Sequence, residues 1–513
     1  MIGVIAEFED REIAREFFEL FKTPWEFYRK DRRYDVLLCA GSYEPEAAAK
    51  LTIFYGGKRT QSDDRPRHPR ILLRQADRIP IYGDAVAFPE KKGALLTDEE
   101  SGRCVAYVDH SEEGTVARVG YDLFAEIRFL LTEGQPAANA ELPAVELHIA
   151  LLRSLITDCG IPLVEIPPVP AGYRFIACLT HDVDHPSIRR HKWDHTTFGF
   201  LYRAILGSFR EVLRGRLPIR GLTTNWMAAF RLVLVHLGLA KDFWSDFGER
   251  YLELEQGLPS TFFVIPFQGR PGRTREGAAP VYRAAPYGAQ DIAGTLRKLS
   301  QAGCEIALHG IDAWCDASSG REELEEIRRL TGASDIGVRM HWLYYDGQSP
   351  QTLEEARASY DSTAGYNGTV GYRAGTTQVY KPPAACSLLE LPLHAMDTAL
   401  FYPAHRGLSQ EEAKILLQRM VVNAARFGGC LTVNWHDRST VPERLWGTCY
   451  RELIQEMESH GAWFATAAQA VAWFRKRRAV VLEGDARAAL DSDDDLPALQ
   501  WRCAEPASCE VGK

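Results

Sequence analysis

Two aspartates one residue apart follow an apolar run, and this pair is the strongest chemical signal in the sequence. The run extends from Phe175 to Leu179, and Asp182 and Asp184 come after it. Because side chains alternate across a strand, both carboxylates should point to one face and Val183 to the other. Two such carboxylates repel each other unless a cation or a shared proton compensates. We therefore expect one of them to bind a divalent metal and the other to act as a base; a turn or helix cap is the structural alternative.

Two further apolar runs end in side chains that suit the same chemistry. His309 ends one run, and Asp312 follows closely enough to join the same site. In the next run the alternation of apolar residues turns Arg339 and His341 together toward the interior. A buried arginine needs an anionic partner, so Arg339 and His341 are predicted to belong to the site. His309 taken alone would suit a hydrogen-bonded structural role equally well.

The remaining histidines differ in what their positions predict. A later run alternates so that Thr432, Asn434 and His436 share its polar face, which makes His436 a candidate general acid or base near neutral pH. His181 and His185 are four residues apart, but His181 lies within a predicted strand, where that spacing does not form a helical metal pair. We expect these two to support the site or the fold.

Tyr372 and Arg373 form another candidate element of the site. They end a predicted strand and stand between Gly371 and Gly375, which allow the backbone to approach a ligand closely. We predict that they bind substrate. A surface ion pair of Arg373 with an acidic residue is the alternative.

The elements that must position these residues alternate in type along the second part of the chain. Strands and helices in this order predict a parallel, barrel-like α/β domain, whose chemistry lies at the carboxyl ends of its strands. The predicted strands cover residues 175–180, 261–265, 305–309, 335–341, 369–373, 389–393, 431–436 and 462–466.

Domain boundaries follow from composition. Proline-rich residues 166–170 predict a boundary between a smaller α/β domain of unknown role at 1–165 and the barrel at 172–475. A helical insertion at about 186–256 carries several arginines; we favour a solvated helical decoration over a substrate entrance. The acidic residues 482–513 are predicted to be a disordered tail.

Composition limits the classes of function. The formal net charge of −9 argues against a nucleic-acid partner, since such proteins use positive charge to displace counterions. The acidic N-terminus does not match a signal peptide, and no apolar stretch is long enough for a membrane span. Eleven cysteines without a C-x-x-C pair indicate free thiols in a reducing compartment. We expect a soluble, cytoplasmic protein.

Together these motifs resemble the polysaccharide deacetylases, also called the NodB-homology domain or carbohydrate esterase family four. The resemblance covers roughly residues 173–474 and implies a distorted (β/α) barrel of that type, of a divergent D-x-D branch. It implies Asp182 as catalytic base, Asp184 and His309 as metal ligands, Arg339 as the catalytic arginine of the family's third motif, and His436 as general acid. The implied cofactor is a divalent metal, with zinc the best match to oxygen and nitrogen ligands.

One position departs from the family pattern. The second histidine of its metal motif corresponds to Ala313, so the third ligand must be His341 or Asp312; we prefer His341 because its strand face points inward. The resemblance implies a hydrolase that deacetylates a saccharide or cleaves a related C–N bond of a small amide. The alternative is a catalytically silent carbohydrate-binding or assembly protein that retains the barrel.

Overall fold

A computed structural model of the chain describes residues 1–41, 49–56, 70–89, 93–111, 114–482 and 496–504. The chain divides into two compact units. Unit 1 comprises Met1–Gly172, Tyr372–Pro383 and Trp473–Lys513, and unit 2 comprises Tyr173–Gly371 and Ala384–Ala472. Within the described residues, no helix has both the length and the apolar composition required to cross a membrane.

The strands and helices are numbered in chain order. The strands are β1 (Ile2–Ile5), β2 (Trp25–Phe27), β3 (Val36–Ala40), β4 (Leu51–Tyr55), β5 (Arg70–Arg74), β6 (Asp77–Ile81), β7 (Ala94–Asp98), β8 (Cys104–Ser111), β9 (Gly114–Val119), β10 (Leu163–Glu165), β11 (Phe175–Val183), β12 (Ser260–Val264), β13 (Arg273–Thr274), β14 (Gly277–Ala278), β15 (Glu305–Gly310), β16 (Val338–Met340), β17 (Ala395–Met396), β18 (Cys430–Asn434), β19 (Ala462–Phe464) and β20 (Arg502–Ala504). The α-helices are α1 (Arg11–Phe21), α2 (Leu123–Thr132), α3 (Ala144–Asp158), α4 (His195–Tyr202), α5 (Ser208–Leu213), α6 (Ile219–His236), α7 (Phe247–Glu255), α8 (Ala293–Gln301), α9 (Ala317–Thr331), α10 (Ser349–Glu355), α11 (Asp397–Phe401), α12 (Gln410–Phe427), α13 (Gly447–Ser459) and α14 (Ala467–Ala479).

The sheet of unit 2 is parallel and is built around β11. Its strand order is β16-β15-β12-β11-β18-β17, with β19 also paired to β11. Every residue of β11 is buried, as expected for a central parallel strand whose two faces are both covered. Single parallel bridges join Val338 to Asp361 and Asp361 to Glu390. The predicted mixed α/β class with a parallel sheet is confirmed; full closure into a barrel stays a prediction.

Two predicted strands of this region are not regular strands. At 369–373 the backbone has a positive φ of 140° at Gly371, followed by 67° at Gly375, so it cannot continue as a paired extended strand. In 389–393, only Glu390 forms a bridge, and Pro392 offers no N–H to a ladder. The regular strand here is β17, which begins two residues after the predicted run.

Unit 1 contains a mixed sheet in the order β2-β1-β3-β4-β9-β8-β7-β5-β6. The part from β2 to β9 is parallel and the part from β9 to β6 is antiparallel, so the predicted strand–helix–strand opening describes only one half of it. Unit 1 also includes residues 372–383 and the chain from 473 onward, which the predicted boundaries 1–165 and 172–475 assigned differently.

The predicted tail at 482–513 is partly structured. Residues 496–504 contain β20, which pairs antiparallel with β10, and Leu499 is buried. The pairing of β20 with β10 and the buried Leu499 tie this segment into the rest of unit 1, which its acidic surroundings did not suggest. The acidic run that motivated the prediction, Asp491 and 493–495, lies outside the described residues.

Candidate metal centre

Asp182 lies near the end of β11, and Asp184 directly follows that strand. Both carboxylates face the imidazole of His309. Its Nε2 lies 3.8 Å from Asp182 Oδ2 and 3.4 Å from Asp184 Oδ1. Strand β15, which carries His309, is separated from β11 only by β12, and all three run in parallel. Their carboxyl ends therefore lie at one edge of the sheet, and the period-two pattern turns both aspartates to the same side.

Asp184, His309 and His341 form a group with the geometry of a metal site. One ligand atom from each lies within 4.8 Å of the others. His309 Nδ1 donates to the Arg339 carbonyl oxygen at 2.9 Å, which leaves the Nε2 lone pair facing Asp184. Asp184 Oδ1 is buried and has no hydrogen-bond partner in the described structure. A buried oxygen without a donor beside an imidazole lone pair fits a divalent cation.

The ionisation of this group also fits metal binding. Burial by itself would raise the pKa of Asp184, but the three neighbouring imidazoles outweigh it and hold the pKa well below its usual range. Burial lowers the pKa of His341 well below its usual range. Asp184 is therefore a carboxylate and His341 a neutral imidazole near neutral pH, which are the forms that ligate metals.

The two alternatives for the third ligand have different neighbours. His341 Nε2 lies 3.7 Å from Asp184 Oδ1. Asp312 Oδ1 instead accepts a hydrogen bond from the backbone N–H of Arg273 at 2.7 Å. Ala313 is fully buried in the apolar core, so the position expected to hold the family's second histidine packs rather than ligates.

Asp182 is held by hydrogen bonds on both of its carboxylate oxygens. Arg339 Nη1 donates to Oδ1 at 3.0 Å, and Asn434 Nδ2 donates to Oδ2 at 2.8 Å. Arg339 is itself fully buried and also donates to Thr180 Oγ1 and to the Ser362 carbonyl oxygen. These two hydrogen bonds from buried donors fix the orientation of the Asp182 carboxyl group.

His436, two residues beyond the end of β18, faces the same group and is paired with a second carboxylate. Its Nδ1 bonds Asp397 Oδ1 at 2.6 Å, and its Nε2 lies 3.7 Å from Asp184 Oδ2. Burial would lower the pKa of His436, but the charges of Asp397 and the two site aspartates outweigh it and raise the pKa to about 10. His436 is therefore a protonated donor whose Nε2 faces the candidate metal group.

A cavity of about 230 Å³ opens at this point of unit 2. The candidate ligands, Asp182 and His436 line its polar side, and Tyr402, Arg438 and Arg444 are also in its wall. The guanidinium groups of Arg438 and Arg444 both donate to the phenol oxygen of Tyr402. The wall thus combines acidic and basic groups, as a site for a polar molecule requires.

Not all predicted site residues meet in this cavity. Tyr372 and Arg373 belong to unit 1, where Tyr372 is buried and Arg373 Nη2 donates to the Glu133 carbonyl oxygen at 3.0 Å. We therefore do not propose a substrate-binding role for them. His181 is enclosed between the Trp435 carbonyl oxygen and Glu255, which suits the expected structural role.

Asp397 is the site residue that sequence reasoning missed. It begins α11 directly after β17, and β17 pairs in parallel with β18, which leads to His436. The signal was an acidic residue after a short apolar run, as Asp182 follows the run that ends at Leu179. The predicted strand ended at residue 393, so Asp397 was not recognised as a strand-end carboxylate.

Comparison with known proteins gives distant structural likenesses. No family model and no curated protein sequence matches the chain. A solved protein from Mycobacterium smegmatis, with a proposed polysaccharide deacetylase activity, is 20% identical, with 61% of this chain and 96% of that chain covered and a TM-score of 0.38. A family 4 carbohydrate esterase from Bacillus subtilis is 12% identical over 45% of this chain and 75% of its own, with a TM-score of 0.26.

A third likeness is to a family 4 carbohydrate esterase pseudoenzyme from Bacillus anthracis. It is 11% identical, with 44% of this chain and 60% of that chain covered and a TM-score of 0.25. All three TM-scores are below 0.5. Any assignment of function therefore depends on the residues of the site.

Proposed function

We propose that the chain is a metal-dependent hydrolase of the polysaccharide deacetylase kind, which removes an acetyl group from a saccharide or cleaves a related C–N bond in a small amide. The observation that carries the proposal is the convergence of Asp184, His309 and His341 within 4.8 Å. Asp182 and His436 beside them supply the base and the acid that hydrolysis needs.

The proposed cofactor is a divalent cation held by Asp184, His309 and His341, with zinc preferred. Two histidines and one carboxylate, with a position left open, are typical of catalytic zinc sites. When bound, such a cation polarises the scissile carbonyl group and lowers the pKa of water. Its identity remains part of the proposal.

The chain's own residues then move two protons. Asp182, oriented by Arg339 and Asn434, accepts a proton from the water that attacks the acetyl carbonyl carbon. The new C–O bond forms, and the bond to the leaving nitrogen or oxygen breaks as His436 donates its Nε2 proton to that atom. Acetate and the deacetylated product leave. Asp397 keeps His436 protonated and fixes the orientation of its ring.

One observation favours a second candidate function. Ala313 stands where a family metal ligand is expected, and this supports a catalytically silent carbohydrate-binding or assembly protein. Against it, His341 offers a nitrogen to the same group, and the silent protein has no need of the Asp397–His436 pair.

The cytoplasmic location also stays a prediction.

Metal analysis and acetate release test the proposal together. We expect about one equivalent of metal per chain. Acetate should be released from at least one member of a panel of N- and O-acetylated saccharides, and chelation should abolish this release reversibly. Asp184→Asn should lose the metal, whereas the matched variant Asp312→Asn should keep it. Metal retained by Asp184→Asn would contradict the ligand assignment; bound metal without acetate release would favour the silent alternative.

A further inference from the structure

Most of the exposed large apolar side chains of the described chain lie in one helical insertion. We call residues 195–239 the hairpin: α4, a π-helical turn at 203–207, α5 and α6. A solvated helical decoration should present polar residues outward, and this one does not. The exposed apolar residues are Phe198, Tyr202, Ile205, Leu206, Phe209, Leu213, Ile219, Trp226, Met227, Phe230, Val233, Leu234, Leu237 and Leu239.

Helix α6 is apolar on two opposite faces. Its inner face, with Ala228, Leu232 and Val235, packs into a small core that also includes Trp244 and Val441. Its outer row consists of Ile219, Trp226, Phe230, Val233 and Leu237, at a spacing that keeps them on one side of a helix. A helix with apolar residues on two opposite faces needs both faces covered, yet Phe230 on the outer face is 77% exposed.

The first half of the hairpin extends the same surface. Phe198, Tyr202, Ile205, Phe209 and Leu213 are all exposed and recur every three to four residues. The Trp226 indole N–H donates to the Ile205 carbonyl oxygen at 3.3 Å, so the rows of the two halves meet there. The result is a continuous outer apolar face, and contiguous faces of this kind mark interaction surfaces.

The charges around this face identify its partner. The hairpin contains six arginines and one glutamate, in a chain whose formal net charge is −9. The glutamate, Glu211, is already paired with Arg214 at 3.0 Å. Arg220 and Arg231 lie beside the outer row of α6, are exposed, and form no ion pair within the described residues. Positive charge flanking an apolar face is typical of helices that lie in the interface of an anionic bilayer.

We propose that the outer face of the hairpin docks on the surface of an anionic lipid bilayer, with its apolar rows among the acyl chains and Arg220 and Arg231 at the headgroups. A second copy of the chain is a poorer occupant, because a two-fold contact would bring like-charged arginines of both copies together. This inference is independent of the proposed hydrolase function.

The hairpin is anchored to the wall of the cavity. Arg203 in the hairpin forms an ion pair with Glu443, and the Glu443 backbone N–H donates to Asn225 Oδ1 at 2.9 Å. Glu443 immediately precedes Arg444, which lines the cavity. The docking surface and the cavity are therefore parts of one packed structure, and bilayer binding would bring the candidate site close to the membrane surface.

Vesicle co-sedimentation of the full chain tests the proposal without any need for activity. We expect binding to vesicles of equal parts phosphatidylglycerol and phosphatidylcholine, weaker binding to phosphatidylcholine alone, and weakening as salt rises. Arg220→Gln combined with Arg231→Gln should weaken binding to the anionic vesicles roughly thirtyfold. Phe230→Ser combined with Leu237→Ser should weaken it on the order of a hundredfold.

The matched control alters exposed apolar residues on another helix. Ile415→Ser combined with Val422→Ser on α12, where both side chains are also exposed, should leave vesicle binding unchanged. Unchanged circular dichroism and thermal midpoints establish that each variant folds. Binding that is absent, equal on both vesicle types, or unaffected by the hairpin variants would overturn the proposal. Self-association that is lost in Phe230→Ser/Leu237→Ser, without vesicle binding, would identify a second copy as the occupant instead.

Discussion

Replacing Asp397 by asparagine tests the electrostatics of the candidate site most directly. Asp397 Oδ1 bonds His436 Nδ1 at 2.6 Å, and Oδ2 accepts from the His436 backbone N–H at 2.7 Å and from the Ser439 hydroxyl. Oδ1 also accepts from the Thr398 backbone N–H at 2.5 Å, so an asparagine amide would meet a backbone donor in either orientation. In either orientation Asp397→Asn removes the negative charge that stabilises the protonated His436 imidazole.

The size of the effect follows from the pKa of His436. Burial would lower this pKa, and the carboxylates, Asp397 foremost, raise it to about 10. A single opposite charge at this distance is worth roughly 1–3 pK units, or about 1.4–4 kcal/mol. We expect the pKa in Asp397→Asn to fall to about 7–9 or lower in the metal-free protein. A cation on Asp184 would oppose protonation of His436, so the titration is done without metal.

The sign of the stability change follows from the same pair. The folded pKa of His436 is raised above that of the unfolded chain, about 6.5, so the pair stabilises the fold fully below that pH. This contribution is lost as pH rises through about 10. Asp397→Asn should therefore lower the free energy of unfolding at pH 6 more than at pH values above the folded pKa.

Histidine resonances of the ¹³C-labelled, metal-free protein measure the pKa. His436→Gln assigns the signal, and Asp312→Asn serves as a carboxylate-removal control that should leave it unchanged. A His436 pKa near 6.5 in the parent protein, or the same pKa in parent and Asp397→Asn, would refute the reasoning. If His436 is the general acid, turnover of Asp397→Asn should also fall by about 10²–10⁴-fold, with the alkaline limb of its pH–rate profile at lower pH.

Three further changes have definite expected results. Asp182→Asn should keep its metal by elemental analysis while lowering turnover by about 10²–10⁴-fold, and loss of metal would make Asp182 a ligand. Arg339→Met should cost about 3–5 kcal/mol in denaturant unfolding, because it leaves the Asp182 carboxylate buried without its partner; a change below 1 kcal/mol would contradict this. Ser409→Ala should lower the free energy of unfolding by about 1 kcal/mol, because the Ser409 hydroxyl and the Glu412 carboxylate cap α12 reciprocally. No change in that free energy would mean that water replaces the cap.

Local pattern was sufficient to predict the strand-borne residues of the candidate site. Alternation along a strand decides which side chains share a face, and this is a property of a few consecutive residues. It identified Asp182 with Asp184, and Arg339 with His341, and the parallel order of the strands predicted that their ends meet. The same reasoning placed Tyr372 and Arg373 in a strand, because the sequence does not reveal that Gly371 takes a positive φ.

Only the tertiary structure decided which of these groups lie together in one candidate site. Strand pairing places His309 opposite Arg339, and His341, two residues further on, lies beside Asp184. Asp312 instead accepts a hydrogen bond from a backbone N–H. The spacing of these residues along the chain leaves both His341 and Asp312 open as the third ligand. Asp397 approaches His436 because β17 and β18 are neighbours, although the two residues are 39 positions apart. The sequence alone determined the types of chemical group and the faces they occupy. Distances between groups on different strands depend on pairing and packing across the whole sheet, and these have no local signature.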